Sequence, residues 1–332
     1  MIKKHNIAIL IAILLISIYI SLCLGTKNFD VFHILISKNA NNEIYKSIIL
    51  NIRLPRILIC IMCGSLLSGV ATVFQGFFRN PLADSTILGI ASGASFGAVL
   101  SLYVSTSTIF IFSILQKFIA PINFFAFIGA VISSLIVFSL TNIFKSNSSV
   151  HLLLCGVATS AFFSAITSLC VVLSKNQVGS FYSWTTGSFN AKGWTEFFII
   201  IIPFCVSTVM LLFCAKPLDL LICGETSAIS LGLDYNRFKN YVLITGAVAT
   251  STAVVAGGVI SFLGLISSHV ARKIFGLTHK GLIIYSMLIG SIMLLAADTF
   301  SRFVIRPKEL PVGILTSVIG AVFMFCILVK EK

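Results

Sequence analysis

The polar side chains able to do chemistry in this chain are few, and the most suggestive of them are arginines. Arg53 and Arg56 stand together before one apolar stretch, and Arg302 and Arg306 follow another. A guanidinium presents a rigid fork of donors that matches a carboxylate, so arginines crowded at one face suit recognition of an acidic partner. Phospholipid headgroups would hold them equally well, and charge alone does not separate the two readings. Asp298 lies one helical turn before Arg302, where an i,i+4 ion pair is expected.

Other chemistries find little support. Cys60 and Cys63 form a CxxC, the spacing of a redox pair in a soluble βαβ unit. Here the pair falls inside the apolar run Ile57 to Leu67, where cysteine behaves as a small hydrophobe. The histidines His5, His33, His151, His269 and His279 are scattered without metal-ligand spacing. There is no GxxxxGK[ST], and the dipeptide Gly-Lys never occurs, so the chain carries no phosphate-binding loop of its own. No nucleophile constellation is present either. An enzyme is not expected, nor is a metal, a cofactor or a nucleic-acid partner.

The elements that must position the arginines are membrane helices. Of 332 residues, 58% are hydrophobic and 10% charged, and the mean hydropathy is +1.07. That leaves too little polar surface for a soluble domain of this length. The apolar residues fall in blocks that match the roughly 20 residues needed to cross a bilayer. Spans are predicted near 7–24, 57–77, 87–105, 121–144, 150–173, 195–214, 239–256, 259–275, 281–300 and 311–329, which makes an all-α polytopic protein of about ten transmembrane helices. The basic start Met1-Ile2-Lys3-Lys4-His5 reads as the cytoplasmic flank of a first span rather than a signal peptide. Ten spans place both termini in the cytoplasm. The stretch 174–194, with Phe181, Tyr182, Trp184 and Trp194, is expected to lie at the outer interface, where aromatic residues with a polar tip settle.

Lys and Arg, 23 in all, divide almost evenly between the two sides of this topology. The positive-inside rule therefore gives it little support, and the outer arginines need a task of their own. Glycines mark close helix contacts: Gly89, Gly93 and Gly97 repeat every four residues on one helix face. Asn80-Pro81 is expected to shape the turn after the second span, because proline stops the helix and biases Asn80 to an extended backbone. Gln75, polar within the second span, is expected to bond a neighbouring helix rather than a substrate. The near absence of ionisable residues inside the spans argues against a self-powered, ion-coupled secondary carrier, which stays as the alternative from another class.

Three stretches resemble the FecCD family, the permeases of type II ABC importers for iron-siderophores, haem and cobalamin. The first is Arg53-Leu54-Pro55-Arg56, then Gly64, Gly69, Gln75, Arg79-Asn80-Pro81-Leu82-Ala83-Asp84 and Leu88-Gly89. The second runs from Leu218-Asp219-Leu220-Leu221 through Gly224-Glu225 and Ala228 to Leu231-Gly232-Leu233. The third joins Gly264-Leu265 and His269-Val270-Ala271-Arg272 through Ala297-Asp298-Thr299 to Glu309-Leu310-Pro311-Val312-Gly313. The likeness covers almost the whole chain, as one permease domain over 1–332. Departures are few: Ser85-Thr86 and Ser267-Ser268 stand where relatives often carry a proline.

The resemblance implies a membrane-spanning permease of a binding-protein-dependent importer in the bacterial inner membrane, working by alternating access. A ferric siderophore is its first expected cargo, with haem or cobalamin behind. The implied partners are two ATP-binding subunits, an extracytoplasmic substrate-binding protein, and a second permease copy or a sister permease, all in membrane lipid. In such permeases outer arginines meet glutamates on the binding protein, a role that falls here to Arg53, Arg56 and Arg302. Segment 216–238 would couple to the ATPase through Gly224, Glu225, Ala228, Ile229, Leu231 and Gly232. The two glycines bracket a short helix, Glu225 complements its dipole, and Ala228, Ile229 and Leu231 are expected to offer an apolar face. Apart from the resemblance, a capped loop helix lying on the membrane is the simpler reading.

Overall fold

The computed structural model describes residues 4–25, 29–36, 40–86, 89–103, 120–143, 149–173, 184–276, 278–305 and 308–330. Among these residues the regular structure is entirely helical. Helix α1 (Lys4–Cys23) is followed by two short helices, α2 (Val31–Ile36) and α3 (Ala40–Ile48), and a π-helical turn leads into α4 (Leu54–Phe78). Then come α5 (Ile90–Tyr103), α6 (Pro121–Ile143), α7 (Ser149–Leu173), α8 (Trp194–Phe213), α9 (Ala215–Leu221) and α10 (Glu225–Ser230). Last are α11 (Tyr235–Gly257), α12 (Leu263–Phe275), α13 (His279–Ser301) and α14 (Val312–Lys330). Among the described residues, 7 helices are long and apolar enough to cross a membrane, and Ile90–Ser101 and Val312–Cys326 are shorter apolar helices. Apolar side chains such as Leu15, Val172 and Phe325 stay exposed, as expected where hydrocarbon is the solvent.

The bundle is built around α4. Pro55 stands in its first turn, where a missing N–H costs nothing, and almost every residue after it is buried. Its closest neighbour is α13, which runs antiparallel to it from Gly76–His279 at one end to Arg56–Asp298 at the other. Midway the two backbones touch. A Cβ on Gly64 would stand 2.5 Å from the Gly290 carbonyl oxygen, and one on Gly290 would stand 2.6 Å from that of Gly64. Ser291 Oγ donates to Ile61 O at 2.9 Å and Ser286 Oγ to Ser68 O at 3.1 Å, so hydroxyls fasten the pair on both sides of the crossing. Helix α12 joins through Ser267 Oγ, 2.7 Å from Ser68 Oγ.

Helices α5 and α6 meet in the same way. Gly93 and Gly97 face Gly129, Ser133 and the Phe125 carbonyl, leaving no room for a Cβ. Gly89 precedes them at φ +70° and accepts a 2.7 Å hydrogen bond from Ser133 Oγ.

Two stretches interrupt helices at depth. Between α11 and α12 the chain is non-helical over 258–262, and α12 begins beside Leu67 and Ala71 of α4, which crowd Gly264. The loop after α4 returns to the same place. Asn80 Oδ1 accepts from Leu82 N at 2.9 Å and closes a turn. Asp84 is then buried beside Gly264, accepting from Ser85 N at 2.7 Å and from the Phe262 main chain. Irregular backbone is tolerated at membrane depth only when protein satisfies it, and Asp84 supplies that here.

The stretch 174–194, expected at the outer interface, is described only from residue 184 on. Residues 174–183, with Phe181 and Tyr182, lie outside the described residues. Within 184–193 Phe189 is fully buried under Gly257, while Asn190 and Ala191 are exposed. At α2 and α3 the apolar side chains of Phe32 and Ile44 are exposed. All nine cysteines are free, and Cys63 Sγ donates to Ala253 O at 3.4 Å inside the bundle.

Candidate functional site

The candidate functional side chains gather at the two ends of the α4–α13 pair. At one end a largely buried charged cluster lies inside the protein. Arg56 Nη2 bonds Asp298 Oδ1 at 2.8 Å, its Nε reaches both carboxylate oxygens at 3.2 Å, and its Nη1 bonds Glu309 Oε2 at 2.8 Å. Arg302 Nε lies 3.3 Å from Asp298 Oδ2, the i,i+4 pair expected from the sequence. Its Nη1 donates to Ser21 O at 3.3 Å and its Nη2 to Ser21 Oγ and Thr299 Oγ1. Arg53 donates to Leu22 O and Cys23 O at the end of α1, and its guanidinium lies 4.4 Å from the centre of the Phe29 ring.

Arg53, Arg56 and Arg302, the expected contacts of a binding protein, are 7%, 8% and 3% exposed in this single chain. The physical reason is local: a helix-end arginine inside a bundle costs several kcal/mol unless carboxylates and carbonyls satisfy it, and Asp298, Glu309, Ser21 and the α1 carbonyls do so. Burial draws the Arg302 pKa down, Asp298 opposes that shift, and Arg56 adds to it. Arg306 lies outside the described residues. Within the cluster Glu309 keeps most contact with solvent, its side chain 21% exposed against 1% for Asp298.

At the opposite end, the segment after α8 folds as α9 and α10 before entering α11. Gly224 precedes α10 at φ +111°, a conformation open to glycine, and Glu225 begins the helix where its charge complements the dipole. Gly232 follows at φ +93°. Asp234 caps α11 by accepting from Arg237 N at 3.1 Å. Ile222, Ile229 and Leu231 are exposed by 62%, 51% and 64%, an apolar patch on an otherwise capped polar turn. Ala228 points the other way and is fully buried. It therefore anchors α10 to the bundle and is corrected out of the outward-facing set.

The same end holds a pair that the scattered histidines concealed. Asp219 Oδ1 accepts from the main-chain N–H of His279 at 2.9 Å and lies 2.7 Å from its Nδ1. Arg79 Nη2 donates to Leu221 O at 2.8 Å, tying α9 to α4 as well. Gln75 Oε1 stands 3.5 Å from Arg272 Nη2, bonding a neighbouring helix, while its Nε2 has no partner among the described residues. Among those residues no cluster of His, Cys, Asp or Glu is arranged to hold a metal ion. Glu309 and Asp219 both fall within stretches that carry the family resemblance, which was the available signal for them.

Comparison with known proteins bears on the whole chain. Residues 13–330 match the FecCD transport family. The hemin transport system permease protein HmuU of Yersinia pestis is 32% identical over 96% of this chain and 95% of its own. The Fe(3+) dicitrate transport system permease protein FecD of Escherichia coli (strain K12) is 33% identical over 86% of each. Among solved structures, an inward-facing protein assigned to the metal-chelate type of ABC transporter superposes with a TM-score of 0.85 at 28% identity, covering 99% of this chain and 100% of that one.

Proposed function

This chain belongs to the FecCD transport family, and from that premise we propose that it is the membrane-spanning permease subunit of an ABC importer for a metal chelate. A ferric siderophore is the first candidate cargo, with haem and cobalamin as alternatives. The observation that carries the reading is the whole-chain fold correspondence with a metal-chelate transporter, at a TM-score of 0.85 over 99% of the chain. The cargoes in the relatives' names, hemin and ferric dicitrate, share one chemistry: iron held by an organic ligand.

In this mechanism energy arrives from outside the chain. The patch of Ile222, Ile229 and Leu231 docks in a cleft of a partner ATPase, since exposed apolar groups on a short helix suit a groove. At the other end an extracytoplasmic binding protein rests on the mouth built around Arg53, Arg56 and Arg302. Because these arginines are already engaged, a partner carboxylate gains Arg56 by displacing Glu309. Such an exchange fixes register more than it adds affinity. Two permease copies, or this chain with a sister permease, enclose the path, and both termini lie in the cytoplasm. Copurification from native membranes tests the assembly. ATPase subunits and a second permease should accompany the chain, and the stripped permease should hydrolyse no ATP. A chain that transports a chelate while purified alone would overturn the proposal.

A further inference from the structure

We propose that Asp219 is a positioning residue that delivers movement of the α9–α10 segment to helix α13. The inference rests on the importer reading above and assigns a role to a contact that reading does not use. Asp219 belongs to α9, five residues before Gly224 at the start of α10, yet its carboxylate sits on the first residue of α13. One oxygen takes two hydrogen bonds, from His279 N at 2.9 Å and from His279 Nδ1 at 2.7 Å. A carboxylate only accepts, so the ring carries its hydrogen on Nδ1. The anion also complements the positive end of a 23-residue helix.

The far side of the ring is fixed too. His279 is 4% exposed, and a Cβ on Gly76 would stand 2.8 Å from its Nε2 and 3.2 Å from Leu218 Cδ2. Leu218 and Leu221 are buried on either side of Asp219, and Arg79 holds Leu221 O at 2.8 Å. The short helix therefore grips the ends of α4 and α13 together and cannot shift without moving them. From there α13 runs about 35 Å at 1.5 Å per residue, zipped to α4 at Ser286, Gly290 and Ser291, and ends at Asp298 in the outer cluster. A push on α10 thus reaches the outer arginines through one contact that polar side chains make at its start.

The test uses the assembled importer, permease with its ATPase subunits and binding protein in lipid nanodiscs or proteoliposomes, offered labelled ferric siderophore, haem and cobalamin separately. Asp219→Ala removes the acceptor; Asp219→Asn keeps an oxygen for the His279 main chain and loses the charge. ATP hydrolysis should continue in Asp219→Ala while transport falls, raising the ATP consumed per chelate by about threefold to thirtyfold, the size expected of one coupling contact. Asp219→Asn should fall between it and wild type. Amide exchange should rise at 278–282 and in α9 and stay unchanged at 295–301. An unaltered ATP-to-chelate ratio in Asp219→Ala would overturn the proposal, as would a parallel loss of hydrolysis and transport. If the wild-type assembly moves none of ferric siderophore, haem and cobalamin, the importer reading fails instead, and the exchange measurement on the permease still decides whether Asp219 holds α13.

Discussion

The guanidinium of Arg56 and the carboxylate of Asp298 stand 242 positions apart in the chain, yet they meet at 2.8 Å with both side chains shut away from solvent. Asp298 also faces Arg302 at 3.3 Å, so one carboxylate stands between two arginines. A buried pair of this kind is weak evidence of net stabilisation, but removing one member leaves an uncompensated charge.

Asp298→Ala is therefore expected to destabilise the permease by about 3–5 kcal/mol. Thermal unfolding of the purified protein in detergent reads the effect as a marked fall in Tm. A variant with wild-type Tm would mean that water already reaches both arginines.

Glu309 is the exchangeable member of the cluster. Glu309→Gln should free one edge of Arg56 and tighten binding-protein association by about two- to fivefold, the span of a partly exposed ion pair. Titrating labelled binding protein against the permease in nanodiscs measures it. Weaker binding in Glu309→Gln would show that the carboxylate itself serves the interface.

Close packing at the centre allows a separate check. Gly290→Ala places a methyl group 2.6 Å from Gly64 O and against Ser68 Oγ, so α4 and α13 must separate. The expected penalty is about 1–3 kcal/mol, read as lower Tm and lower yield from membranes. Gly232→Ala meets nothing within 4 Å and should suffer only the strain of its positive φ.

The apolar patch at α10 separates docking from folding. Ile229→Asp and Leu231→Asp change side chains that are 51% and 64% exposed, and they should abolish copurification of the ATPase while leaving the permease Tm unchanged. Ala228→Asp puts a charge in a fully buried position and should lower Tm first. Equal behaviour of all three would contradict the assigned directions.

Much of this architecture was legible in the sequence because its signals are local. Apolar blocks mark the helices, and Gly224 and Gly232 bracket a helix that the structure places at Glu225–Ser230. The Gly93 and Gly97 spacing points at a close neighbour, which is α6. What sequence could not reveal depends on partners far along the chain. An arginine at a helix end reads the same whether it faces water or a carboxylate, and only the fold brings Asp298, Glu309, Ser21 and the α1 carbonyls to Arg53, Arg56 and Arg302. His279 looked solitary because Asp219 lies 60 positions away. The aromatic content of 174–194 does not reveal that Phe189 fills the space over Gly257.

The most direct test of the central claim is uptake by cells with and without this gene, offered labelled ferric siderophore, haem and cobalamin separately. The account predicts that deletion abolishes uptake of one metal chelate. Wild type should restore it, and Ile229→Asp/Leu231→Asp should not, although that variant reaches the membrane at normal levels. Unchanged uptake of all three chelates, in cells with no second importer for them, would contradict it.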